Sequence, residues 1–214
     1  MIKILGDKKI FKKEHFKIKD LILPKIIKKY YHCNMVVTIG GESGTGKTEV
    51  ASLLQESLWE NNRIRCKIIH EDDYYIVLWN ERNKLRKKSG INSVGMNEID
   101  WLKINKIVDD FKNEKKKLYV QRIHKYTNSI EYVITNSKYI DILIIEGLYT
   151  NNLDRKDFGI YLEGTYKDTK KFREERQKEV INNFRIKVLK QEHKEVLKTK
   201  KMSDLIIPFL NKVK

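Results

Sequence analysis

The sequence predicts an α/β fold with three layers and a mainly parallel five-stranded sheet. Short aliphatic runs recur along the chain. Met35-Val36-Val37-Thr38-Ile39 and Asp141-Ile142-Leu143-Ile144-Ile145 are the clearest, and each reads as a strand buried on both faces. Segments with apolar residues at helical spacing separate them, and that alternation argues for parallel pairing. The first run ends in Gly40-Gly41, where a glycine-rich loop opens directly into a helical segment.

Residues 1–33 form a basic N-terminal extension, with ten Lys against Asp7, Glu14 and Asp20, and residues 34–214 form the main domain. Patchy alternation in the first half of the extension predicts a short hairpin. From Asp20 onward Leu21, Ile22, Ile26, Ile27 and Tyr30 predict a helix with Pro24 in its first turn, where a missing N–H costs nothing. In the main domain, Lys47 to Glu60 reads as a helix with Val50, Leu53, Leu54 and Leu58 on one face, and Ile64 to His70 as the second strand. Residues 76–97 are basic, turn-rich and irregular, and Asn97 caps a helix running to about Asn113. Leu118–Ile123 and Ile130–Ile134 alternate around Thr127-Asn128-Ser129, a β-hairpin insertion. Phe158–Leu162 and Asp204–Ile207 supply the last strands, with one or two charged helices over residues 166–201 between them.

The chain has 214 residues, 45 Lys and Arg against 29 Asp and Glu, and a net charge of +16. No apolar run approaches a membrane span, and MIKILGDKKIF lacks the pattern of a signal peptide. Cys33 and Cys66 form no disulfide framework, and the histidines lack metal-ligand spacing, so a reducing, cytoplasmic setting is expected. The positive charge suits nucleic acid, an anionic membrane surface or phosphorylated metabolites, but compositional bias accounts for most of it.

Gly41-Glu42-Ser43-Gly44-Thr45-Gly46-Lys47-Thr48 matches G-x-x-x-x-G-K-[ST] in full, between a strand and an amphipathic helix. The glycines let backbone N–H groups wrap a phosphate, and the helix adds its positive dipole end, with Glu49 in the first turn. Lys47 reaches the β- and γ-phosphates of a nucleoside triphosphate, and Thr48 offers a hydroxyl to Mg²⁺. This is a P-loop NTPase signature. The guanine-reading N-K-x-D motif and the L-S-G-G-Q signature are absent, which leaves mainly the nucleotide-kinase-like branch.

Three further features favour that branch. His70-Glu71-Asp72-Asp73-Tyr74-Tyr75 places carboxylates just past the second strand, where ligands sit in α/β sheets. A carboxylate there can take the proton of an acceptor hydroxyl; Asp72 is the first choice and Asp73 the second. Ile142-Leu143-Ile144-Ile145-Glu146-Gly147 ends a buried strand in an acid, and Glu146 can reach Mg²⁺ directly or through water. Arg173 and Arg176, one helical turn apart, can close over the transferring phosphoryl group; spacing alone favours a solvated charged helix, and the position after the fourth strand is what raises the functional reading.

In this order the motifs resemble the uridine kinase and phosphoribulokinase-like family of P-loop kinases, over about Met35 to Ile207. The resemblance implies that Asp72 is the catalytic base, that Glu146 is the acidic strand end, and that Arg173 and Arg176 belong to a helical lid closing over ATP. It also implies a small-molecule hydroxyl acceptor, a nucleoside such as uridine or cytidine by first preference, with the hairpin near residues 118–135 in the acceptor pocket. Relatives of this type are often homo-oligomers, but no interface is mapped by the sequence. The family's P-D-A-F-D-like stretch reads Met96-Asn97-Glu98-Ile99-Asp100 here, so the Pro and the first Asp are missing.

Acceptor-side candidates therefore rest on location. Tyr75 and Trp79 can stack on a base or sugar, or serve as ordinary core aromatics. Arg122 and His124 share one face of a β segment and suit a hydroxylated or phosphorylated acceptor, or simply a solvated hairpin surface. A kinase acting on a sugar, a sugar phosphate or an RNA end, and a nucleotide-dependent RNA-binding or regulatory protein, stay open as alternatives.

Overall fold

The computed structural model describes residues 9–31, 34–124, 127–176 and 182–209, with the Arg176 side chain outside that set. Five parallel strands form the sheet: β1 (Met35–Gly41), β2 (Cys66–His70), β5 (Ile142–Gly147), β6 (Phe158–Leu162) and β7 (Leu205–Ile207). Their order is β2-β5-β1-β6-β7. β3 (Lys117–His124) and β4 (Ser129–Asn136) pair antiparallel as the separate hairpin that the sequence predicts. The helices are α1 (Lys13–Lys29), α2 (Lys47–Asn62), α3 (Trp79–Ser89), α4 (Trp101–Lys112), α5 (Lys170–Arg176) and α6 (Asn183–Lys200).

Strand pleat divides the core in two. Val37, Ile39, Ile142, Ile144 and Ile160 face one side, where Val50, Leu54 and Leu58 of α2 and Ile18, Ile22 and Ile26 of α1 pack. Val36, Leu143, Ile145 and Tyr161 face the other, against Ile104, Val108 and Phe111 of α4, Leu118 and Val120 of β3, and Val196 of α6. The register aligns Ile39 and His70 with Glu146, and Gly40 with Gly147. The glycine-rich loop, the end of β2 and the end of β5 therefore meet at one carboxyl edge, beside the point where strand order reverses.

Three local expectations are corrected. The predicted N-terminal hairpin lies partly outside the described residues, and from Lys13 the chain is instead one helix whose buried residues His15, Ile18, Ile22 and Ile26 follow helical spacing; Pro24 lies on its exposed face in mid-helix. Residues 79–89 are helical rather than irregular. α3 has no apolar stripe to announce it: its one buried residue is Arg86, which is tied to Glu98 by two bonds of 2.6 and 2.8 Å. The cap of α4 is Asp100, which accepts from the Lys103 N–H, whereas Asn97 sits in a short 3-10 turn over Met96–Glu98.

Ile22 is fully buried between α1 and the α2 side of the sheet. Ile22→Ala should cost about 2–4 kcal/mol in urea unfolding, in one cooperative transition that involves the whole chain.

Candidate active site

The loop after β1 has the backbone its glycines require. Gly44 and Gly46 sit at φ +85° and +90°, a left-handed conformation, and Gly46 caps α2. Lys47 Nζ donates to the Glu42 carbonyl at 2.9 Å, and the Thr45 hydroxyl donates to the same oxygen at 2.9 Å. The Glu42 carboxylate lies 2.6 Å from His193 Nδ1 of α6. Burial raises the Glu42 carboxyl above its ordinary value, and His193 offsets only part of that rise.

Glu146 is buried at the end of β5. The Thr48 hydroxyl donates to its Oε1 at 3.1 Å, and His70 Nδ1 lies 2.6 Å from the same oxygen. Burial alone would push this carboxyl up. The His70 hydrogen bond and charge, with Lys47 and Thr48, outweigh burial and hold it below the ordinary range.

Glu71 behaves oppositely. It is fully buried, and its Oε2 accepts the Tyr149 N–H at 2.9 Å. Burial, with Asp72 and Glu146 adding like charge, pushes it up to about 8. Gly147 leaves the room this side chain needs: a Cβ there would overlap Glu71 Cβ and Oε2. One edge of the sheet therefore holds an ionised carboxylate at Glu146 beside a protonated one at Glu71.

The two aspartates of the same turn differ as sharply. Asp73 Oδ1 accepts the Ile123 N–H at 3.2 Å, and Arg122 Nη1 lies 3.4 Å from Oδ2. Burial raises its carboxyl despite these partners. Asp73 thus fastens the turn to the hairpin, and so does Tyr74, whose hydroxyl accepts the Gln121 N–H at 3.0 Å. Asp72 is exposed, and among the described residues no hydrogen bond or ion pair engages its carboxylate.

Of the other acceptor-side candidates, Tyr75 is buried beneath the Arg82 guanidinium, 3.3 Å from the ring centroid. Trp79 is exposed at the start of α3. His124 Nε2 pairs with Glu131 across the hairpin at 2.6 Å. Arg173 is buried where α5 crosses the loop: it donates to the Tyr166 carbonyl at 2.6 Å and to the Thr169 hydroxyl, and its Cγ would meet a Cβ at Gly44. The Arg176 side chain lies outside the described residues.

Sequence reasoning missed Glu71, His70 and His193. The first two stand in the segment already singled out, but only the strand register shows that they meet Glu146 and Gly147. Nothing local marks His193, which reaches Glu42 from 151 residues away.

The loop's geometry fits a nucleotide's phosphates. Among the described residues no three His, Cys, Asp or Glu side chains form a cage for a metal. Thr48 and Glu146, a hydroxyl and a carboxylate 3.1 Å apart, are the hard oxygen donors that would hold a Mg²⁺ ion brought by a nucleotide. Among the described residues no helix is long and apolar enough to cross a membrane.

The fold and this loop define a P-loop NTPase of the nucleotide-kinase-like type. The model of the phosphoribulokinase/uridine kinase family matches residues 36–170, and the chain belongs to that family. A curated relative, the bifunctional alpha-galactosidase/sucrose kinase AgaSK of Mediterraneibacter gnavus, is 24% identical over 186 residues, which is 81% of this chain. The chain spans only about 20% of that relative's length. Two solved structures share the fold. A protein of Silicibacter sp. TM1040 described as a putative fructose transport system kinase superposes with a TM-score of 0.65 at 14% identity, over 89% of this chain and 98% of its own. A Bacillus stearothermophilus protein described as a possible uridine kinase gives 0.61 at 20% identity, over 88% and 96%.

Glu71 generates a pH signature of stability. Its carboxyl titrates near 4.5 when unfolded and near 8 in the fold, so its contribution is complete below about pH 4.5 and is lost as pH rises through about 8. In urea unfolding from pH 5 to 9, wild type should lose stability relative to Glu71→Gln by at least about 1 kcal/mol. A pH-independent difference would show that Glu71 is ionised in the fold.

Proposed function

We propose that the protein is an ATP-dependent phosphotransferase that moves the γ-phosphoryl group to a hydroxyl of a small, sugar-bearing metabolite. Uridine and cytidine are the first candidates. The observation that carries this reading is the convergence of Lys47, Thr48, Glu146 and the Glu71–Asp73 turn at one edge of the sheet. The names of these relatives mention sucrose, fructose and uridine, and a sugar hydroxyl is common to all three.

The loop amides and Lys47 cradle the triphosphate. Mg²⁺, when bound with ATP, would neutralise charge on the β- and γ-phosphates, held by Thr48 and Glu146. Asp72, the uncommitted carboxylate of the turn, takes the proton as the acceptor oxygen attacks the γ-phosphorus, and ADP departs. Asp73 and Tyr74 hold that turn against the hairpin and so place Asp72. Arg122, His124 and the exposed Trp79 are the acceptor-side candidates, whereas Tyr75 is covered by Arg82. Arg173 leaves its resting bonds to Tyr166 and Thr169 to meet the charge that develops during transfer, with Arg176 one turn further along α5.

A panel of nucleosides, sugars and sugar phosphates, read by ADP production, tests the reading; turnover should depend on one acceptor class. Intact ATP binding with no acceptor-dependent turnover across the panel would refute it. Asp72→Asn should keep ATP affinity within about twofold while kcat falls by roughly 10²–10⁴. If Asp73→Asn is the damaging change instead, the base is misassigned by one residue.

A further inference from the structure

The family match begins at residue 36, yet a segment well before it touches the phosphate loop. His15, in the first turn of α1, is buried. The Lys12 N–H donates to its Nδ1 at 3.1 Å, so in the neutral ring the proton sits on Nε2. That Nε2 faces Gly46, only 2.6 Å from where a Cβ on Gly46 would stand. The same segment reaches the helix that crosses the loop. Lys12 Nζ pairs with Glu175 of α5 at 2.6 Å and lies 4.0 Å from the centroid of the Phe172 ring. The Lys12 bond holds the Glu175 carboxyl below its ordinary value. Further out, the Ile10 N–H donates to Glu49 of α2 at 3.4 Å. Ile10, Lys12, His15, Gly44, Gly46, Phe172 and Glu175 thus line one small cleft where N-terminal segment, phosphate loop and α5 meet.

α1 cannot drift from this position, because Ile18, Ile22 and Ile26 fix it in the core. Its first turn is therefore a rigid support beside two parts that must act together on the donor. Lys47 and Thr48 follow Gly46 directly, so displacing Gly46 displaces both. We propose that the first turn of α1 is a working part of the nucleoside triphosphate site, with His15 a positioning residue for Gly46 and Lys12 anchoring α5 over the loop through Glu175. This rests on the reading that the loop binds a nucleotide.

The test is calorimetric titration of the full chain with a non-hydrolysable ATP analogue and Mg²⁺, alongside steady-state kinetics. His15→Asn is the informative variant. Asn can keep the capping bond from the Lys12 N–H but leaves the space against Gly46 empty. It should weaken analogue binding about fivefold to tenfold and raise KM for ATP in step, with KM for the acceptor unchanged. His15→Ala should do the same, and His15→Gln, which reaches further toward Gly46, should recover part of the loss. Lys12→Ala and Glu175→Ala should each weaken binding about twofold to threefold, as expected of a partly exposed pair, and the double variant should be no worse than either. The charge swap Lys12→Glu with Glu175→Lys should restore affinity.

Wild type that binds the analogue, with His15→Asn binding it equally well, would overturn this inference alone. Tighter binding in the variants would overturn it too, by showing that the segment obstructs the site. Wild type that binds no nucleotide would overturn the functional reading and this inference together. If His15→Asn fails to fold, the Lys12–Glu175 cycle decides: additive losses without rescue by the swap contradict the anchoring role.

Discussion

The site depends on one buried carboxylate, Glu146, accepting from Thr48 and lying against His70. These three residues come from β5, the start of α2 and the end of β2. They can meet only because β5 lies between β1 and β2 in parallel register. Burying a charge is costly unless it is paired and hydrogen-bonded. Here the charge is compensated at the place where a strand end and a helix start supply donors. A slip of one residue in β5 would turn Glu146 toward the opposite face and leave Thr48 facing an aliphatic side chain.

The neighbouring acids are sorted by their surroundings, not by their type. Glu71 occupies the space that Gly147 leaves open and is pushed up to about 8, chiefly by burial, so it stays protonated at neutral pH beside the ionised Glu146. Asp73 is spent on holding the hairpin. Asp72 alone faces outward from the turn. Adjacent carboxyls that differ this much in environment suit the proposed proton transfer and cation binding at a single edge.

Much of this was legible in the sequence, for physical reasons. Met35–Ile39 and Asp141–Ile145 had to be buried strands, since few other structures hide such runs in a basic, polar chain. The glycine-rich loop was readable because its backbone demands glycine at fixed positions, and φ is positive at Gly44 and Gly46. α3 was not readable, because it packs through Arg82 and an ion-paired Arg86 and not through an apolar stripe. Nor was the length of α1, whose buried residues His15, Ile18, Ile22 and Ile26 are interrupted by lysines and by Pro24. The roles of Glu71 and His193 depend on contacts across 78 and 151 residues, which no local pattern encodes.

In the proposed reaction Glu146, and not its protonated neighbour Glu71, is the carboxylate that would hold the metal beside Thr48. ATP-analogue affinity measured with and without Mg²⁺ tests it most directly. Wild type and Glu71→Gln should gain affinity on adding Mg²⁺, and Glu146→Gln should lose most of that gain while retaining its metal-free affinity. Loss of the Mg²⁺-dependent gain in Glu71→Gln, with Glu146→Gln behaving as wild type, would contradict it.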